Sequence, residues 1–101
     1  VTENFLRLSG VVTEKPTFKV SPSGVEHCNF TIEHRSVQKE VELPRNAFCY
    51  MPIATSGTLA TQLKNTLSKG MQLRVSGFIT FHKSANNVGK LVLHAQYIEQ
   101  I

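Results

Sequence analysis

The strongest signal along the chain is a period of two. From Met71 onward, Met71, Leu73, Val75, Gly77, Ile79 and Phe81 alternate with Gln72, Arg74, Ser76, Phe78, Thr80 and His82. Such alternation marks a strand with one buried face. Phe78 interrupts the polar side, and Gly77 marks a bend or a close backbone approach. A second run covers Glu26 to His34, with Cys28, Phe30 and Ile32 inward against His27, Asn29, Thr31 and Glu33. Phe5 to Val12, with Gly10 permitting a strong bend, Ala47 to Thr55 and Leu91 to Ile98 complete five expected strands. Pro52 makes the third of these an edge or bulged strand.

The segments between them differ in kind. Ser21-Pro22-Ser23-Gly24 has the proline and closing glycine of a turn and is read as joining the first two strands. Ser36 to Arg45 is charged, contains Pro44 and reads as an exposed loop. From Gly57 to Lys69, Leu59, Leu63 and Leu67 recur every four residues, one apolar stripe on a short helix that stops at Gly70. Lys83 to Lys90 is a polar hairpin tip. The order β-β-β-α-β-β, with glycine bends, predicts a mainly β protein: an OB-fold, a five-stranded Greek-key barrel with one helix between strands three and four, as a single domain over residues 1–101. An SH3-like barrel or a small α+β roll is the competing architecture.

Charge adds a direction. The net charge is +4, but residues 1–42 carry five basic side chains against six glutamates, net −1. Residues 43–101 carry six basic side chains against Glu99 alone, net +5, which leans toward a polyanionic partner. The chain contains no Asp, so the carboxylate of a Ser/His/Asp triad is missing. His27 and Cys28 are adjacent on a strand and point to opposite faces, and no CxxC, HxH or HExxH spacing exists. No glycine-rich phosphate loop exists either. No enzyme, no cofactor and no metal site is therefore expected. Cys28 and Cys49 read as buried thiols of a reducing compartment. No apolar run approaches the length of a membrane span, and the opening VTENFLRLSG lacks a secretory pattern, so a cytoplasmic protein with no membrane partner is expected.

A binding face is the more productive reading. An OB-fold holds single strands on the sheet around strands two and three and between the loops joining strands one–two and four–five. Such a site needs cations for phosphates and flat rings for bases. Lys19, Arg35, Arg45, Lys83 and Lys90 supply the cations, and Phe48, with Tyr50 pointing the same way, supplies the rings. All are expected on one side of the barrel. Taken singly, each has a blander meaning: a hairpin lysine is ordinarily just solvated, and a strand phenylalanine is ordinarily core.

LSGVV at 8–12, FKVSPSGVEHCNFTIEHRSVQ at 18–38, RNAFCYMPI at 45–53 and VLHAQYIE at 92–99 closely resemble the PriB family, primosomal replication protein N. The match runs through nearly the whole chain, and SPSG followed by HC and EHRS is far more specific than a generic barrel pattern. The resemblance implies a homodimer of OB-folds related to bacterial single-strand-binding proteins. It implies binding of single-stranded DNA and of the PriA helicase, then handover to DnaT or other primosome loading factors. It also implies DNA-contacting roles for Lys19, Arg35, Lys83 and Lys90, with Phe48 where better-known relatives carry a stacking Trp. Ala85 stands where a lysine is expected and Leu43 where relatives carry an aromatic. These departures imply a weaker grip on single strands than is typical of the family.

Overall fold

The computed structural model describes residues 1–101. Six strands and one helix follow in order: β1 (Leu6–Val12), β2 (Thr17–Val20), β3 (Glu26–Glu40), β4 (Leu43–Ser56), α1 (Thr58–Leu63), β5 (Gln72–Lys83) and β6 (Gly89–Gln100). The ladder runs β1-β5-β6-β4-β3-β2, and β1 also pairs with β3, so the sheet closes on itself. β4 and β6 run parallel through Ile53 opposite Leu93 and Ala54 opposite His94; the other pairings are antiparallel. A closed ring of β1, β5, β6, β4 and β3 with a helix between β4 and β5 is the expected OB-fold. The four-residue β2 lies against β3 outside that ring and brings the strand count to six.

The inward positions of the alternating runs form the core. Val12, Ile32, Ile53, Leu73, Val75 and Leu93 are almost completely buried and pack with Cys28 and Phe30. Each side chain of this size contributes about 1.5–3 kcal/mol by leaving water. Leu63 and Leu67 close one end of the barrel, as the leucine stripe requires. The α-helix itself ends at Leu63, however, and Leu67 reaches the core from the turn that follows, where its N–H donates to the Leu63 carbonyl at 2.9 Å.

Two glycines make the closure possible. A Cβ at Gly10 would stand 2.6 Å from the Glu33 carbonyl oxygen, where β1 meets β3. One at Gly77 would overlap the His94 carbonyl oxygen, at the irregularity where β5 shifts register against β6. The bends expected at these glycines are thus places where two backbones nearly touch.

The segment Ser36 to Arg45 is not a loop. β3 and β4 continue in register as a two-stranded arm from Arg35 opposite Phe48 to Glu40 opposite Leu43. The arm turns at Val41 and Glu42, whose φ values of 49° and 64° are those of a two-residue hairpin turn. Its outer part is exposed on both faces, which removes the apolar alternation that would have announced strands. The arm lengthens the molecule to 51 Å and raises the radius of gyration to 14.8 Å, against about 13 Å for a compact chain of this length. Its root is tied to β1 by a directed chain of hydrogen bonds. Gln38 Nε2 donates to Ser36 Oγ (2.8 Å), Ser36 donates to His34 Nε2 (2.8 Å), and His34 Nδ1 donates to the Ser9 carbonyl (2.7 Å). The turn at Ser21–Gly24 joins β2 to β3 rather than the first long strand to the second. Cys28 is buried as expected, whereas Cys49, near the root of the arm, is only half-buried; both are free thiols.

Candidate nucleic-acid interface

Strand pleat and register decide which side chains share a face. Outward residues of β3 oppose outward residues of β4: His27 and Ser56, Asn29 and Ala54, Thr31 and Pro52, Glu33 and Tyr50, Arg35 and Phe48. β2 extends the same face through Lys19 opposite His27. β6 extends it on the other side through His94 beside Ala54, and β5 through Phe78 opposite His94 and His82 opposite Lys90. One outward face therefore runs unbroken across five strands. Its centre is an open groove of ≈ 770 Å³ whose lining includes Lys15, Lys19, Lys90, His27, His82 and His94. Glu14 is the one carboxylate in that lining. The local balance is cationic, and each lysine is exposed to solvent where a phosphate could reach it.

Where the face runs onto the arm it changes character. The Arg35 guanidinium carbon lies 4.6 Å from the centre of the Phe48 ring, and Phe48 meets Tyr50 edge-on with centroids 5.1 Å apart. Phe48 is 49% exposed and Tyr50 58% exposed, so neither ring belongs to the core. A cation held over an exposed ring, with a second ring beside it, offers a base a stacking surface and its phosphate a partner. Arg35 is also ion-paired to Glu33.

The six residues expected on one side divide four to two. Lys19, Arg35, Phe48 and Lys90 share the face described above. Arg45 is an odd number of positions from Phe48, opposes Gln38 and turns to the reverse side of the arm, where it pairs with Glu40 at 3.4 Å. Lys83 opposes Gly89 at the tip of the β5–β6 hairpin, and the pleat directs it away from the side that carries His82 and Lys90.

A family model described as another single-strand binding protein family matches residues 4–97. The replication restart protein PriB of Photorhabdus laumondii is 50% identical over 101 residues, which cover 100% of this chain and 96% of that protein. The replication restart protein PriB of Yersinia pestis is likewise 50% identical, over 100% of this chain and 95% of its own length. The chain belongs to the PriB family. Among solved structures, PriB from Ralstonia solanacearum superposes with a TM-score of 0.80 at 21% identity, covering 98% of each chain. A single-stranded DNA binding protein from Thermus aquaticus reaches 0.84 at 17% identity, covering 98% of this chain and 50% of that one. At these identities the likeness is one of fold.

This PriB-family chain also carries groove residues that the sequence reading passed over. His27, His82 and His94 were not among the expected site residues, yet they come from three strands and line the same cationic groove. His27 bonds Ser56 at 2.8 Å and His94 bonds Thr80 at 2.7 Å. Lys15 joins them from the β1–β2 connection. No group of three His, Cys, Asp or Glu side chains is placed to hold a metal ion. The even spacing of Lys90, Val92 and His94 was the available signal, but only strand pairing shows that β3 and β5 bring histidines to the same place.

Proposed function

We propose that this PriB-family chain binds single-stranded DNA along the outer face of its barrel and serves, without catalysis, as an accessory of the replication-restart primosome. In this reading it is one OB-fold unit of a cytoplasmic homodimer. The observation that carries the reading is the continuity of the groove of Lys19 and Lys90 with the Arg35–Phe48 pair. Phosphates follow the lysines, and a base stacks on Phe48 beside Tyr50. Arg45, on the reverse side of the arm, and Lys83, turned away at the hairpin tip, lie off this path.

A second reading makes the chain mainly an adaptor for the PriA helicase, with weak affinity for single strands. The arm favours it. Arg35, Lys39 and Arg45 each pair with a glutamate, so residues 33–45 carry three cations and three anions. Val37, Val41 and Leu43 are exposed there, a surface better suited to protein than to DNA.

Fluorescence anisotropy on labelled oligo-dT across a salt series separates the readings. Direct binding predicts a measurable salt slope that falls by about 0.7 for each of Lys19→Ala and Lys90→Ala. Phe48→Ala is expected to cost of order 1 kcal/mol or more. Affinity untouched by all three substitutions sinks the assigned site. Helicase capture that persists without DNA, with negligible oligo-dT binding, supports the adaptor instead.

A further inference from the structure

Three rings stand together on the β5–β6 wall of the groove. Phe78 and His94 are stacked with centroids 5.0 Å apart and planes only 8° from parallel. The His82 ring lies 5.7 Å from His94, tilted by 31°. His94 is held by Thr80, whereas His82 is exposed and makes no hydrogen bond to another residue, unlike His27, His34 and His94. Its cross-strand neighbour is Lys90, whose ammonium also serves the groove. His82 thus combines a backed ring, free nitrogens and a cationic neighbour at the edge of a cationic groove.

We infer that His82, backed by His94 and Phe78 and flanked by Lys90, is a second nucleotide subsite that takes one phosphodiester and its base and grips harder when His82 is protonated. The inference rests on the single-strand reading above and adds to it a position and a pH dependence. Phe48 and the His82 wall stand at different parts of the same face, so two successive regions of one strand are held.

The charges facing His82 decide the sign. Lys90 and His94 face it from β6, and His27 and Lys19 lie across the groove on β3 and β2. Lys15 and Glu14 complete the groove from the β1–β2 connection. The lysines make the groove cationic before any strand binds. A phosphodiester in the groove offsets them and draws a proton onto the imidazole, so binding and protonation reinforce one another. Histidine is the side-chain type whose charge changes between about pH 5 and pH 8, so the gain is read between about pH 8 and pH 5.5. One added charge raises the salt slope on single strands by about 0.7, which at about 0.1 M salt is roughly fivefold in affinity.

The test is oligo-dT anisotropy at pH 8 and pH 5.5, since neither thymine nor the phosphodiester titrates in that window. Wild type is expected to gain about fivefold on acidification, and His82→Gln to lose most of that gain. His82→Lys is expected to bind tightly at both pH values, and His82→Phe to keep a ring but not the pH response. A full acid gain in His82→Gln, or none in wild type that binds oligo-dT, overturns the subsite while leaving the single-strand reading intact. Absence of oligo-dT binding by wild type at both pH values overturns that reading and the subsite with it.

Discussion

Glu33→Gln should make this protein bind single strands more tightly. Glu33 and Arg35 sit two positions apart on the outward side of β3 and form an ion pair, with Glu33 opposite Tyr50 and Arg35 opposite Phe48. The Arg35 side chain is 73% exposed and that of Glu33 27% exposed, so the pair itself contributes only about 0.2–1 kcal/mol to stability. A phosphate approaching Arg35 meets the Glu33 carboxylate as well. Two like charges about 5 Å apart repel by about 0.8 kcal/mol even at the dielectric constant of water, roughly fourfold in affinity. Counterion release gives a similar size: one more uncompensated cation raises the salt slope by about 0.7, roughly fivefold at about 0.1 M salt. The assay is oligo-dT anisotropy across a salt series, with Glu40→Gln as the matched comparison. Glu40 pairs with Arg45 on the reverse side of the arm, so that variant has the same net charge but adds nothing to the face. Tighter binding confined to Glu33→Gln is the expected outcome. Equal gains in both variants would show that total charge acts rather than placement, and a loss in Glu33→Gln would refute the role of Arg35.

Three further outcomes test the scaffold. Gly77→Ala should cost about 3 kcal/mol or more in urea unfolding, at or above the usual overpacking range, because its Cβ would meet backbone and not a side chain that can turn away; wild-type stability would contradict the close approach. Burial pushes the Cys28 thiol up to about 11 from 9.0, against an opposing hydrogen bond from Thr55. The folded state holds that proton more tightly, so the stabilisation is complete below pH 9 and is lost as pH rises through 11, a loss on the order of 2 kcal/mol. Unfolding of wild type and Cys28→Ala at pH 8 and 11 should show that difference between their pH dependences, and parallel curves would exclude it. At the arm's tip, Val41→Asn with Glu42→Gly relieves two non-glycine residues at positive φ. The pair should gain about 1 kcal/mol, or roughly 4–8 °C in Tm, and an unchanged Tm would show that the turn carries no strain.

The parts of the fold that bury a face were legible in the sequence. β5, the barrel part of β3, β6 and the closures at Gly10 and Gly77 all follow from alternation and glycine placement, because the core enforces them. The outer arm escaped notice for the same reason: Val37 to Asn46 bury nothing, so a ladder held by backbone pairing looked like a charged loop. β2 is only four residues long and has no buried alternation to announce it. The candidate site was half legible. Phe48 and Tyr50 could be placed together by parity, and the same parity separates Arg45 from them. The histidine wall needed strand register, since His82 and His94 are neighbours only through the β5–β6 pairing. Net charge said least, because Lys19 and Arg35 come from the half of the chain with net −1.

The proposed interface confines single-strand contacts to one face of the barrel. The most direct measurement is a backbone-amide NMR titration of the labelled protein with oligo-dT. Shifts are expected at Lys19, His27, Phe48, Ala54, Lys90 and His94, with little change at Gln38 and Arg45 on the reverse side of the arm. Shifts centred on Gln38 and Arg45, with the groove undisturbed, would contradict that interface.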